Sequence, residues 1–200
     1  MRLQDKVAVI TGAAQGIGLG IAERFSKEGA RVMMLDVNED VGARAAADIS
    51  GARFFCTDVS DKAAVDNTVD EIIADAGRID ICVNNAGILR SGEVLEISEE
   101  DFDKVLSVNL KGAFLMSQAT GRHMVTAGSG SIINMASVNG IRAIPNILPY
   151  NVSKGGLDQL TRVMAVALAD KHARVNAIGP GSILTEMLQQ VMTDEAKRHA

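Results

Sequence analysis

Tyr150 and Lys154 lie four residues apart in the run Tyr150-Asn151-Val152-Ser153-Lys154, and Tyr150 is the only tyrosine of the chain. On a helix this spacing stacks the two side chains on one face, one turn apart. A phenol titrates near 10 and is a poor base at neutral pH. An ammonium about 5 Å away, at an effective dielectric near 20, would stabilise the phenolate by roughly 3 kcal/mol. That equals about two pKa units, enough to bring the phenol toward the working range of a general acid or base. Ser137 lies thirteen residues upstream, just after the apolar run Ser131-Ile132-Ile133-Asn134-Met135. Its hydroxyl can hold an oxygen beside the phenol. The expected chemistry is proton transfer at an alcohol or carbonyl oxygen. A Tyr-x-x-x-Lys pair also arises on ordinary amphipathic helices, so it needs support from elsewhere in the chain.

That support comes near the N-terminus. Val7-Ala8-Val9-Ile10 leads into Thr11-Gly12-Ala13-Ala14-Gln15-Gly16-Ile17-Gly18 and then into a helical pattern. Gly12 permits a sharp turn out of a strand. Gly16 lets backbone approach a diphosphate closely, and Gly18 is expected to let the helix pack against the sheet. A helix N-terminus offers unpaired N–H groups and partial positive charge to an anion. The expected ligand is a dinucleotide. Asp36 closes the second apolar run, where an acid accepts hydrogen bonds from the adenosine ribose and repels a 2′-phosphate. Gln15 and Val37 are uncharged, and Arg31 and Arg44 are not at the strand end. NAD is therefore expected over NADP.

Six short apolar runs predict strands: residues 7–10, 31–35, 53–56, 79–83, 131–135 and 174–178. Most are continuous rather than alternating, which suits strands buried on both faces of a parallel sheet. Between them, helices are predicted over 17–28 with Gly29 as a stop, over 61–75 with Ser60 as N-cap, from Ser98 toward Ala127, and over 150–171. Strand and helix alternate, which predicts an α/β fold of Rossmann type. Its doubly wound parallel sheet carries helices on both faces. No repeat or linker divides the chain, so residues 1–200 read as a single dinucleotide-binding and catalytic domain.

Composition narrows the classes. The net charge of −5 leaves no basic surplus for gripping nucleic acid. No apolar run reaches the length of a membrane span, and the N-terminus lacks the apolar core of a signal peptide. Cys56 and Cys82 stand singly in apolar runs and read as reduced core residues of a cytoplasmic protein. His123, His172 and His199 are scattered, so no metal site is expected. The sequon Asn151-Val152-Ser153 falls inside the predicted catalytic helix and reads as accidental. Ile141, Ile144, Ile147, Leu148, Ile183, Leu184, Met187 and Leu188 are expected to line a pocket or its lid. On that reading neutral ketones or cyclic alcohols would turn over better than polyols. Arg142 reads as a solvated surface residue.

The chain resembles the short-chain dehydrogenases/reductases of the classical subgroup. The Thr11–Gly18 string is similar to their cofactor motif, and Asn84-Asn85-Ala86-Gly87 to their NNAG segment. Asn109 is at the position of their helix asparagine. Ser137, Tyr150 and Lys154 match their catalytic spacing. The resemblance implies that Asp58 and Val59 face the adenine, that Asn85, Ala86 and Gly87 help bind the cofactor, and that Pro180, Gly181, Ile183 and Thr185 cover the nicotinamide. It implies that Lys154 holds the ribose hydroxyls and that Asn109 holds a water relaying protons to Lys154. The implied activity is hydride transfer between NAD(H) and a secondary alcohol or ketone. The alternatives are an NADPH-dependent carbonyl or 3-oxoacyl-carrier reductase and a non-catalytic dinucleotide-binding protein. A homo-oligomer, tetramer or dimer, is implied. So is a seventh strand, expected to be missing from these 200 residues by truncation at the C-terminus.

Overall fold

The computed structural model describes residues 1–186. Six parallel strands form one sheet: β1 (Val7–Thr11), β2 (Arg31–Asp36), β3 (Ala52–Cys56), β4 (Ile81–Asn84), β5 (Gly130–Met135) and β6 (Ala173–Ile178). Their spatial order is β3-β2-β1-β4-β5-β6, the doubly wound arrangement. The order reverses between β1 and β4, and ligands of such sheets bind beyond the strand ends at that switch point. The helices are α1 (Gly16–Lys27), α2 (Glu39–Ala47), α3 (Lys62–Ala76), α4 (Glu99–Leu106), α5 (Ala113–Ala127) and α6 (Leu148–Leu168).

Side chains alternate across the pleat and build two cores. On one face Val9, Met33, Leu35, Cys82 and Ile132 pack with Val65, Ile72, Leu115 and Met116 from α3 and α5. On the other, Ala8, Ile10, Val32, Met34 and Val83 pack with Ala22 of α1 and Ala46 of α2. β1 and β4 are buried along their whole length. The edge strands are not: β3 and β6 each leave side chains in solvent, because nothing covers their outer sides among the described residues.

Four expectations are corrected here. Cys56 is exposed, because it ends edge strand β3; only Cys82 is a core thiol, and both are free. The N-cap of α3 is Asp61, whose carboxylate accepts from the Ala63 and Ala64 amides, whereas Ser60 turns back to donate to Asp58. The helical run after Ser98 is not one α-helix. α4 and α5 are joined by a π-helical turn, Ser107–Gly112, whose wider ring absorbs extra backbone. The helix α2 has no counterpart among the predicted helices. Its sequence Glu-Asp-Val-Gly-Ala-Arg-Ala-Ala-Ala carries almost no large apolar stripe, and Gly42 is there because a Cβ would meet the Phe54 ring at 2.0 Å.

No described helix is long and apolar enough to cross a membrane. Among the described residues no group of three or more His, Cys, Asp or Glu could hold a metal ion. Met187, Leu188 and His199 lie outside the described residues.

Candidate active site

The glycine turn between β1 and α1 is shaped by what it excludes. Gly12 has φ +62°, and a Cβ on it would stand 2.8 Å from the Ala86 Cα. A Cβ on Gly18 would stand 2.1 Å from the Gly12 carbonyl oxygen. Gly18 therefore lets the helix close on its own turn rather than on the sheet. Gly16 has φ +57° and faces Thr185, whose Cγ2 lies 3.5 Å from the position of a Cβ. At the start of α1, Gln15 is extended and exposed, makes no side-chain cap, and no acid stands in the first turn. The amides of that turn are left for an anion. The cradle and its uncapped helix end fit a diphosphate.

β4 locks this turn in place. The Thr11 hydroxyl accepts from the Asn85 and Ala86 amides, both at 3.0 Å. The Asn85 side-chain amide donates to the Thr11 and Gly12 carbonyls, both at 3.0 Å. The Asn85 side chain thus shapes the cradle, whatever its backbone does toward a ligand. At the end of β2, Asp36 is partly buried, and each of its carboxylate oxygens already accepts a backbone amide: Ala14 at 3.1 Å and Asn38 at 3.1 Å. After β3, the Ser60 hydroxyl donates to Asp58 at 2.7 Å and holds its carboxyl below the usual range, against the opposing effect of burial. Val59 is buried against Gly112, where a Cβ would come within 2.7 Å of its Cγ2.

The second half of the site stands at the ends of β5 and β6 and on α6. Ser137 follows β5 and is buried; its hydroxyl accepts the Asn139 amide at 3.1 Å. Tyr150 and Lys154 lie in the first two turns of α6. Lys154 is 4% exposed, and its ammonium donates to the Met135 carbonyl at 2.6 Å. The same Nζ lies 5.4 Å from the centre of the Tyr150 ring. Burial lowers the Lys154 pKa to about 8, against the opposing pull of Asp158. Burial also pushes the Tyr150 phenol above its ordinary value, with a hydrogen bond from the Ser137 side chain acting the other way. This differs from the lowered phenol expected from the sequence. The cause is desolvation of a ring set in the protein.

Asn109 lies in the π-helical turn and is 1% exposed. Its Oδ1 accepts the Ile88 amide at 2.8 Å, and its Nδ2 donates to the Ile88 carbonyl at 2.9 Å and to Ser153 Oγ at 3.1 Å. Ser153 in turn donates to the Tyr150 carbonyl at 2.8 Å. The side chain therefore joins the segment after β4 to the helix bearing Tyr150. Gly87 lies alongside, with a Cβ position 3.4 Å from Asn109 Oδ1. The chain after β6 crosses the end of β5: the Pro180 carbonyl accepts the Val138 amide at 3.1 Å. Gly181 and Ile183 are exposed on this segment, and Thr185 reaches Gly16. The sequence-derived residues thus lie at the ends of the parallel strands, on the segments that follow them and on the first turns of α1 and α6.

A family model described as short chain dehydrogenase matches residues 6–196. The chain belongs to this family. A D-threitol dehydrogenase of Mycolicibacterium smegmatis is 42% identical over 190 residues, spanning 93% of this chain and 73% of that protein. An NAD-dependent glycerol dehydrogenase of Listeria innocua is 42% identical over 187 residues, 92% of this chain and 73% of that one. A solved structure, an NAD+-bound xylitol dehydrogenase, matches with a TM-score of 0.89 at 38% identity, over 90% of this chain and 72% of that chain.

For a short chain dehydrogenase fold, several supporting residues were not singled out by motif reading. Ser153, Gly112, Asn134 and Thr161 hold the site together, with Thr11 and Asn84, which stand inside the two motifs without a role of their own there. Outside the motifs, Gly112 alone of these carried a signal, as a glycine inside a helical run.

Of the apolar residues expected around the pocket, Ile147 is buried in the protein, whereas Ile141, Ile144, Ile183 and Leu184 are exposed. Arg142 is exposed as expected.

Proposed function

We propose that the protein is an NAD-dependent dehydrogenase of small, neutral secondary alcohols, or a reductase of the matching ketones. The observation that carries this reading is the juxtaposition of Ser137, Tyr150 and buried Lys154 at the sheet edge that also carries the glycine cradle. When bound, a nicotinamide dinucleotide would supply the hydride acceptor or donor. Gly12, Gln15, Gly16, Ile17 and Gly18 would hold its diphosphate, Asp36 its adenosine ribose, and Asp58 with Val59 its adenine. Asn85, Ala86, Gly87, Pro180, Gly181, Ile183 and Thr185 would enclose the rest.

The Ser137 hydroxyl orients the substrate oxygen. Tyr150 takes the proton from that oxygen in oxidation and returns it in reduction. Burial favours the neutral phenol, the form that donates the proton in the reductive direction. Lys154 places a positive charge beside the ring, favouring the phenolate that oxidation requires. Asn109 holds the chain around Ile88 and Ser153, and we assign it to the proton relay beyond Lys154.

The relatives named for threitol, glycerol and xylitol support a neutral hydroxylated substrate. They weigh against the expectation that polyols turn over poorly. The acid at Asp36, the NAD-dependent glycerol dehydrogenase relative and the NAD+-bound xylitol dehydrogenase structure support NAD. An open apolar groove lined by Leu106, Leu110, Phe114 and Leu160 supports a homo-oligomer. Two free cysteines fit the cytoplasm.

The test is a panel of polyols, cyclic alcohols and ketones with NAD(H) and NADP(H), read by nicotinamide absorbance. Tyr150→Phe is run beside it. It should lose at least about a hundredfold in turnover while retaining NADH binding. Residual turnover near the parent level would remove Tyr150 from the mechanism.

A further inference from the structure

We propose that Asn134 and Thr161 form a positioning pair that fixes the rotation of α6, and with it the Tyr150–Lys154 face, on the end of β5. This rests on the assignment of Tyr150 and Lys154 to proton transfer. Asn134 is fully buried and Thr161 is 7% exposed. Asn134 Nδ2 donates to Thr161 Oγ1 at 2.8 Å, and Thr161 donates on to the Leu157 carbonyl at 2.8 Å. Asn134 Oδ1 accepts from Asn84 Nδ2 at 2.8 Å, and that amide also reaches Ser117 Oγ at 2.8 Å. A chain of side-chain hydrogen bonds thus runs from α5 through β4 and β5 to α6, inside an otherwise apolar core. Buried amides cost stability unless they are bonded, and a fully partnered network favours one arrangement of its elements.

The placement of this network ties it to the site. Asn134 immediately precedes Met135, whose carbonyl holds the Lys154 ammonium. Thr161 is seven residues beyond Lys154, two turns along α6 on the same face. The helix is therefore tied to two consecutive residues of β5, through Lys154 at one level and Thr161 at the other. The first tie uses a side chain whose charge the chemistry needs. The second uses no reacting group. The Thr161–Asn134 bond, two turns from the Asn109–Ser153 bond at the start of the helix, is thus a polar tie on α6 that does not depend on the Lys154 ammonium. Displacements of about 1 Å at reacting groups can cost on the order of a hundredfold in rate, so a small rotation would matter.

Thr161→Val keeps the side-chain volume and removes the hydroxyl. Because Tyr150 is the only tyrosine and the chain has no tryptophan, its phenol can be titrated in the full chain by ultraviolet absorbance without any substrate. We expect the midpoint in Thr161→Val to move by about half a pH unit or more, as the ammonium shifts relative to the ring. Thr161→Ser should restore the parent midpoint. With any alcohol that the panel shows to be turned over, kcat should fall about tenfold or more with little change in KM. If Thr161→Val fails to fold, Thr161→Cys, similar in size with a weaker hydrogen-bonding group, should move the midpoint away from the parent value by a detectable amount. An unchanged midpoint and kcat in the folded variant, even with a lower melting temperature, would overturn the pair. Normal turnover in Tyr150→Phe would overturn the underlying assignment and this proposal with it; a dead Tyr150→Phe beside an unaffected Thr161→Val would overturn the pair alone.

Discussion

The two ends of the groove are built by different means. The cofactor end, around β1 and α1, is shaped by excluded volume: positive φ at Gly12 and Gly16, and no room for a Cβ at Gly12 or Gly18. The proton-transfer end, around β5 and α6, is shaped by buried side-chain hydrogen bonds: Asn84 to Asn134, Asn134 to Thr161, Asn109 to Ser153, and Lys154 to Met135. Backbone close approach tolerates almost no substitution and leaves a fixed spacing in the sequence. Hydrogen-bonded packing tolerates replacement by any side chain that restores the bond, so it leaves a fainter trace. The two ends should therefore fail differently when mutated.

The largest effect is expected at Gly18. A methyl there would press on the Gly12 carbonyl, which is backbone and cannot step aside as a side chain can. Gly18→Ala should lower stability by about 1–3 kcal/mol. It should also weaken NADH binding at least about tenfold, because the turn must open to admit the methyl. Calorimetric titration with NADH and a melting curve would check both. Near-parent affinity would mean that the cradle is less rigid than its geometry implies.

Asp36→Ala is expected to rank next. Its carboxylate would carry two duties, since the oxygens proposed to hold the ribose already accept the Ala14 and Asn38 amides. Losing hydrogen bonds to a charged acceptor costs about 1.5–3 kcal/mol, so NAD efficiency should fall roughly tenfold to a hundredfold. The NADP-to-NAD preference should rise as the repulsion goes. NADP efficiency should still stay below the parent's NAD efficiency, because the turn has lost its brace. Kinetics with both cofactors would decide, and an NADP efficiency above the parent's NAD value would show that the carboxylate braces nothing.

This contrast explains how much could be read beforehand. The six strands and the glycine cradle were legible because a parallel sheet needs apolar runs and close approach needs glycine at fixed intervals. Tyr150, Lys154 and Ser137 were legible because helix periodicity and a strand end make their proximity a local matter. Asn134 and Thr161 were not, and Asn84 was visible as part of a motif but not as the partner of Asn134. Each lies in an apolar or amphipathic segment, and its partner is 27 to 50 residues away. No local pattern records such a bond. The π-helical turn at Asn109 was hidden for a related reason: one extra residue in a helical ring leaves the apolar pattern nearly intact. Pair spacing shows the attraction between Tyr150 and Lys154 but not the depth of burial that pushes the phenol the other way.

Lys154→Met tests the cost of the proton-transfer end. In the folded chain burial lowers this ammonium from the ordinary 10.5 to about 8. Between those values the unfolded chain holds more protons, so stability rises with pH; below 8 the burial penalty is present in full. The shift corresponds to roughly 3 kcal/mol, partly offset in the variant by the orphaned Met135 carbonyl at about 1–3 kcal/mol. Lys154→Met should therefore melt at or above the parent temperature near pH 7, and the difference should move in the parent's favour toward pH 10. Turnover should be lost. Melting curves across that range would check the sign, and a gap that does not depend on pH would mean that the lysine is not titrating in the folded chain.

The smallest effect is expected two residues past the cradle, at Gly20. It shares α1 with Gly16 and Gly18, but it is exposed, its φ is not positive, and a Cβ there would meet nothing within 4 Å. Glycine inside a helix costs backbone entropy that alanine does not. Gly20→Ala should therefore stabilise the protein by about 0.4–1 kcal/mol, mostly by restricting the unfolded chain. NADH affinity and turnover should stay at parent values. Compared with Gly18→Ala, the pair separates glycine needed for close approach from glycine that is merely present. Melting and NADH titration of the two variants side by side would read the contrast. A loss of NADH binding in Gly20→Ala would mean that the cofactor end depends on flexibility of α1 itself, not on the volume its turn excludes.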